Sequence, residues 1–239
     1  MIDVKNVSFG YGRGKVIDQV SFCMNNAEVV GLIGPNGAGK STLLRLCAGI
    51  LKPQNGSITV DGQAKYDAKA FARQLAFLPQ SRPTPDITVR SLVQMGRFAH
   101  SKNHQQAVED AIRAVGLQKL AECDVRTLSG GQRQMAYLAM LLAQESPNVL
   151  LDEPFTHLDI SAQLDVTGVI RRMKQSGKCV AVVLHDLNML ETVCNRVLLL
   201  DGGKITFDGS AKDCLRSNEL ERAFDVRILA NKGISFERR

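Results

Sequence analysis

A chain of 239 residues and 26.1 kDa holds one large hydrophobic core and has no room for a tandem of two. With 44% hydrophobic and 23% charged residues its composition is that of an ordinary globular protein and suggests neither a disordered chain nor a coiled coil. The longest unbroken apolar run, Met135 to Ala143, has nine residues, against about 20 for a membrane-spanning helix, so no segment crosses a bilayer unaided. The start, Met1-Ile2-Asp3-Val4-Lys5, lacks the basic and then apolar stretch of a signal peptide and predicts a cytosolic protein.

The net charge of +6 is uneven: residues 1–100 hold 12 Lys/Arg against 6 Asp/Glu, a difference of +6, and the remainder sums to zero. Such an excess suits phosphate groups or an anionic membrane surface. Without Trp, and without basic runs interleaved with aromatics, nucleic acid is not an expected partner. Cysteines 23, 47, 123, 179, 194 and 214 have no chelating spacing and read as reduced small hydrophobes.

From Met1 to about Gln80 the chain is β-rich. Ile2 to Phe9 and Gly56 to Val60 are predicted strands, and Glu28 to Ile33 runs into a glycine-rich loop and a helix starting near Lys40. Between about Asp86 and Glu145 the pattern turns helical, with Val108, Ala111, Ile112 and Val115 on one face. Three short apolar runs follow, 148–151, 179–184 and 197–200, separated by segments of helical length. Apolar strands alternating with helices predict a parallel sheet covered on both faces.

Three motifs carry chemistry. Gly34-Pro35-Asn36-Gly37-Ala38-Gly39-Lys40-Ser41 matches GxxxxGK[ST] between a buried strand and a helix. Its glycines let backbone N–H groups wrap a phosphate, Lys40 reaches the β- and γ-phosphates, and Ser41, with Thr42 beside it, offers a hydroxyl to Mg²⁺. Asp152 and Glu153 follow the 148–151 run directly, at the strand end where open α/β sheets bind ligands. Asp152 is suited to hold Mg²⁺ and Glu153 to orient an attacking water. Leu128-Ser129-Gly130-Gly131-Gln132 lies 152 − 129 = 23 residues before Asp152. Ser129 is a good N-cap, and the glycines leave N–H groups free for an anion.

Taken together, LSGGQ between a phosphate loop and a strand-end Asp-Glu resembles the ATP-binding subunits of ABC transporters, over essentially the whole chain. Four further positions match that family's motifs: Tyr11, the aromatic that stacks on adenine; Gln80, which links the helical insert to the core; Asp159, in Thr156-His157-Leu158-Asp159; and the switch histidine, His185. The resemblance implies a P-loop NTPase fold: a RecA-like α/β core (1–85 and 146–239), an N-terminal antiparallel β region, and an inserted helical subdomain at about 86–145 within one domain spanning 1–239.

It further implies that two copies sandwich ATP and Mg²⁺. The phosphate loop of one copy, residues 34–42, would face Ser129, Gly130, Gly131 and Gln132 of the other, with Asp159 nearby. Lys40, Glu153 and His185 are the expected catalytic residues, and Ser41, Gln80 and Asp152 the expected metal ligands. His100, His104 and His157 gain no role.

Residues 93–97 and 223–226 look like the importer group serving ferric siderophores, haem and cobalamin. The resemblance thus implies an ATPase working with separate membrane permease subunits and, indirectly, a periplasmic or surface substrate-binding protein. It would lie in the cytoplasm, peripheral on the inner face of the cell membrane. An iron chelate is the expected cargo, with haem, cobalamin or molybdate as alternatives, and a soluble iron–sulfur assembly ATPase as the non-transport alternative. Arg73, Arg82, Arg90 and Arg97 read either as a solvated surface or as the rim of a permease-docking loop.

Overall fold

The computed structural model describes residues 1–12, 14–64, 67–100, 104–230 and 234–238. In chain order the elements are β1 (Ile2–Tyr11), β2 (Gly14–Met24), β3 (Val29–Ile33), α1 (Lys40–Cys47), β4 (Asn55–Val60), α2 (Ala68–Gln74), β5 (Leu75–Leu78), α3 (Val89–Met95), α4 (His104–Ala114) and α5 (Gly130–Ala143). There follow β6 (Asn148–Leu151), α6 (Ile160–Gln175), β7 (Cys179–Val183), α7 (Leu190–Val193), β8 (Arg196–Asp201), β9 (Lys204–Ser210), α8 (Ala211–Cys214), α9 (Asn218–Phe224), β10 (Val226–Ala230) and β11 (Ile234–Arg238).

Three sheets result. A six-stranded sheet runs in the order β5-β6-β7-β3-β8-β9, parallel except for β9, which pairs antiparallel with β8 at one edge. An antiparallel sheet runs β2-β1-β4, and β10 and β11 form a hairpin. Central strands of the large sheet are apolar at nearly every position because both faces are covered. Successive side chains point to opposite faces, so each strand feeds two cores. Val29, Val149, Val180, Val182 and Val197 pack with the helices of residues 89–143 and 160–220. Val30, Leu150, Ala181, Val183 and Leu198 pack with α1 and the antiparallel sheet.

The predicted strands are present, while β2, β5, β9 and the β10–β11 hairpin add to them. β9 shows why such strands are hard to read. Its alternating partly buried and exposed residues, in Lys204-Ile205-Thr206-Phe207, belong to an edge strand whose period shows only once β8 is placed beside it.

Helices α3, α4 and α5 pack together, with Val108, Ala111, Ile112 and Val115 all buried, as their spacing predicts. The contact of α3 with α5 is close: a Cβ at Gly96 would lie 2.1 Å from the Met140 carbonyl oxygen. The end of α5 is tied to the core by Gln144, whose Nε2 donates to Ala72 O at 2.6 Å and Leu75 O at 3.1 Å, and by the Ser146 hydroxyl on Ala72 O at 2.7 Å.

The four arginines sit in different settings, and Arg97 alone among them is buried. Arg97 is 3% exposed, donates Nη1 to Ala143 O at 2.7 Å and pairs with Glu145. Arg73 is hydrogen-bonded to Ala99 O, Arg90 pairs with Glu109 and Glu122, and Arg82 lies over Tyr137. A surface role for Arg97 is therefore corrected, because its guanidinium closes the end of α5 from inside. Arg97→Met should lower the unfolding free energy by roughly 1–3 kcal/mol, chiefly the cost of leaving the buried Ala143 carbonyl without its donor. Urea denaturation reads this directly, and an unchanged midpoint would return Arg97 to the surface.

Candidate active site

Four parallel strands, β5, β6, β7 and β3, end on the same edge of the sheet. Gln80 follows β5, Asp152 and Glu153 follow β6, His185 follows β7, and the 34–39 loop follows β3. Residues far apart in sequence thus meet because their strands share one direction.

The loop between β3 and α1 needs glycine at two points in particular. Gly34 has φ 148° and a Cβ there would sit 2.0 Å from Leu200 O. Gly39, with φ 103°, would meet Ile17 Cδ1 at 2.9 Å. Only a residue without a side chain fits either place. Lys40, 6% exposed, donates Nζ to Gly34 O at 2.8 Å and Pro35 O at 2.9 Å. Burial pushes its ammonium below the usual lysine range, against the opposing pull of Glu153 and Asp152. This is a desolvated cation held by neutral carbonyls, ready to exchange them for a better acceptor.

Asp152 is 1% exposed. Its N–H donates to Leu78 O at 2.9 Å, and its Oδ1 accepts from the Ser41 hydroxyl at 3.0 Å. Burial pushes its carboxyl up, opposed by the Ser41 hydrogen bond and reinforced by neighbouring Glu153. The other oxygen, Oδ2, is buried with no hydrogen-bond partner among the described residues. A buried carboxylate with one oxygen unspent, beside a hydroxyl, is a hard-oxygen donor set that fits a divalent cation such as Mg²⁺. Among the described residues no group of three His, Cys, Asp or Glu forms an all-protein metal cage.

Glu153 sits at φ 53°, an uncommon backbone conformation for a residue with a side chain. Its carboxylate is held by three groups: Gln80 Nε2 at 2.6 Å and the Thr156 hydroxyl at 3.2 Å on Oε2, and His185 Nε2 at 2.6 Å from Oε1. Thr156 is the member of this set that reading the sequence did not single out. Its signal is the spacing of three residues after Glu153, which returns its hydroxyl to the carboxylate.

Tyr11, Asn36, Gly37, Gly39, Lys40, Ser41, Thr42, Glu153 and His185 line one open cleft of about 340 Å³. Tyr11 is 53% exposed at its mouth and packs edge-on against Phe9. Ser129 to Gln132 and Asp159 do not line this cleft. Ser129 caps α5 in a full capping box: its Oγ accepts from Gln132 N at 3.2 Å, while Gln132 Oε1 accepts from Ser129 N at 3.0 Å. Asp159 caps α6 through Ala162 N at 2.8 Å, and the two helix starts are in contact, since a Cβ at Gly131 would lie 2.8 Å from Ala162 Cβ. One chain therefore carries two separate phosphate-suited surfaces. Ser129→Ala removes the α5 cap and should cost about 1 kcal/mol of stability, read as a lowered thermal midpoint; an unchanged midpoint would deny the cap any structural weight.

A phosphate cradle and a ring of polar side chains on the carboxyl edge of one parallel sheet define a P-loop nucleoside triphosphatase. The family model described as ABC transporter matches residues 17–156, and the chain belongs to that family, as an ATP-binding subunit whose ATPase activity is coupled to transport.

Among curated relatives, it is 38% identical to the ferric enterobactin transport ATP-binding protein FepC of Escherichia coli (strain K12), over 94% of this chain and 87% of that one. It is 41% identical to the achromobactin transport ATP-binding protein CbrD of Dickeya dadantii (strain 3937), over 95% and 90%. To the hemin import ATP-binding protein HmuV of Rhodopseudomonas palustris it is 36% identical, over 95% and 89%. Among solved structures, an inward-facing ABC transporter described as of metal-chelate type superposes with a TM-score of 0.83 at 28% identity, covering 100% of this chain and 98% of that chain. No helix among the described residues is long and apolar enough to cross a membrane, and importer ATP-binding subunits of this family work with membrane permeases.

Proposed function

We propose that this chain is the motor of a bacterial importer for a ferric siderophore, bound to its permease at the inner face of the cell membrane and fed by a substrate-binding protein. The observation that carries the hydrolytic part is the Glu153 carboxylate, gripped by Gln80, Thr156 and His185 beside the Lys40 cleft. The cargo rests on relatives named for ferric enterobactin and achromobactin. Haem is the second reading, favoured by the hemin import relative.

In this reading Tyr11 stacks on the adenine, and the backbone of 34–39 with Thr42 wraps the phosphates. Lys40 trades the Gly34 and Pro35 carbonyls for the β- and γ-phosphates. Ser41, Asp152 and Gln80 would hold Mg²⁺, which supplies charge neutralisation when bound. Glu153 accepts a hydrogen bond from the attacking water and aligns it, and His185 faces the γ-phosphate while fixing the carboxylate. Residues 1–239 act as one domain, with about 86–145 as a helical arm inserted in the core.

Two copies complete the site. Ser129, Gly130, Gly131 and Gln132 of the second copy close on the γ-phosphate, with Asp159 alongside, so each triphosphate lies between Lys40 of one copy and Ser129 of the other. The free N–H groups at the start of α5 supply the positive end for that contact. Loss of the γ-phosphate removes the charge that holds the halves together.

Glu153→Gln should retain ATP, lose turnover at least 100-fold, in line with other positioned acid–base groups, and accumulate as a nucleotide-bound dimer in size-exclusion chromatography. Wild-type hydrolysis by this variant would refute the role of Glu153. Lys40→Ala should weaken ATP binding by calorimetry, and unchanged affinity would remove Lys40 from the cradle. For the cargo, cells lacking the protein should lose uptake of labelled ferric siderophore and regain it on complementation. Loss of labelled haem uptake alone would select the second reading.

A further inference from the structure

Gln80, Arg82, Gly130, Arg133, Gln134 and His157 line a second cavity, of about 160 Å³, between the segment after β5, the start of α5 and the segment after Glu153. It is half open to solvent and has room for a small polyatomic ion. Its wall is rich in donors. Gln134 is 5% exposed, and its Nε2 has no hydrogen-bond partner among the described residues. Arg82 Nη1 has none either, although the arginine as a whole is only half-buried.

The Arg82 guanidinium lies 5.0 Å from the Tyr137 ring centroid, and Arg133 donates to the Thr84 hydroxyl at 3.3 Å. Neither arginine forms an ion pair among the described residues, and no Asp or Glu lines the cavity.

A buried donor without an acceptor is costly, and the half-buried Arg82 and Arg133 add two positive charges to the same wall. The group that relieves both is small, anionic and rich in acceptors. Gly130, at the start of α5, forms part of the same wall. Gln80 and Thr156 also line the cavity, and both hydrogen-bond Glu153, so it opens one side chain away from the proposed hydrolytic carboxylate.

We propose that this cavity is a binding site for inorganic phosphate, separate from the phosphate loop and gripped by Arg82, Gln134 and Arg133. Supply of that phosphate by hydrolysis rests on the ATPase reading above; the site itself does not. It gives the cleaved phosphate a place to be held after it leaves Lys40.

The test is phosphate titration of the nucleotide-free protein at constant ionic strength, followed by ³¹P line broadening, with circular dichroism to verify folding. Lys40→Ala should leave one saturable phosphate component. Arg82→Met and Gln134→Leu, each in the Lys40→Ala background, should weaken it at least tenfold, while chloride should not compete.

Retention of the component in both double variants overturns the proposal, as does its absence from Lys40→Ala. An effect of Arg82→Met confined to permease coupling, with phosphate binding unchanged, would overturn it in favour of an acidic protein partner. If the Lys40 variant keeps the component but wild-type protein binds no ATP, the ATPase reading fails and the phosphate site stands.

Discussion

The structure depends on how Asp152 is held. Its N–H closes on Leu78 at the end of β5, its side chain accepts from Ser41 at the start of α1, and it is itself the first residue beyond β6. One residue therefore locks two neighbouring strands and the phosphate-loop helix into a single edge. Because the lock is polar and buried, it tolerates little change of length or charge, and that sets the distance from the Lys40 cradle to Glu153. The remaining carboxylate oxygen, left without a partner among the described residues, is the part of the lock available to a cation.

Charge is poised on that edge. Burial disfavours the charged forms of both Lys40 and Asp152. A polyanion at Lys40 and a cation at Asp152 would each restore the charged form that burial penalises, so the proposed ligands and the site stabilise one another. Glu153 is handled differently, with three side chains already placed on its carboxylate and a backbone in a conformation that its neighbours must enforce. Two of those side chains arrive from β5 and β7, so the carboxylate senses the position of both neighbouring strands. That coupling is what a motor needs if hydrolysis is to follow the arrangement of its parts.

The helical region is fastened to this core by a few polar ties at the end of α5, with Arg97 buried beneath them. Its other end carries Ser129, packed against the start of α6 through Gly131 and Ala162. Anion-suited helix starts thus lie at α1 and at α5, and the start of α5 does not line the Lys40 cleft of its own chain. The need for a second copy, proposed above, follows from that separation.

Much of this was legible from the residues alone. GxxxxGK[ST], the Asp-Glu pair after an apolar run and LSGGQ are local patterns, because each depends on backbone shape and side chains within a few consecutive positions. The apolar runs at 148–151 and 179–184 marked buried parallel strands for the same reason. What the residues could not state was pairing. The antiparallel edge β9, the short strand β5 and the C-terminal hairpin exist because a neighbour supplies their hydrogen bonds.

Arg97 likewise read as a surface charge until the fold buried it, since an arginine's surroundings are set by segments 46 to 48 residues away. Sequence determined which chemical groups this protein owns and the order in which they come. Tertiary structure alone decided that Gln80, Thr156 and His185 converge on Glu153, and that Arg82 and Gln134 face a common cavity, because parallel strands bring together ends that the chain keeps far apart.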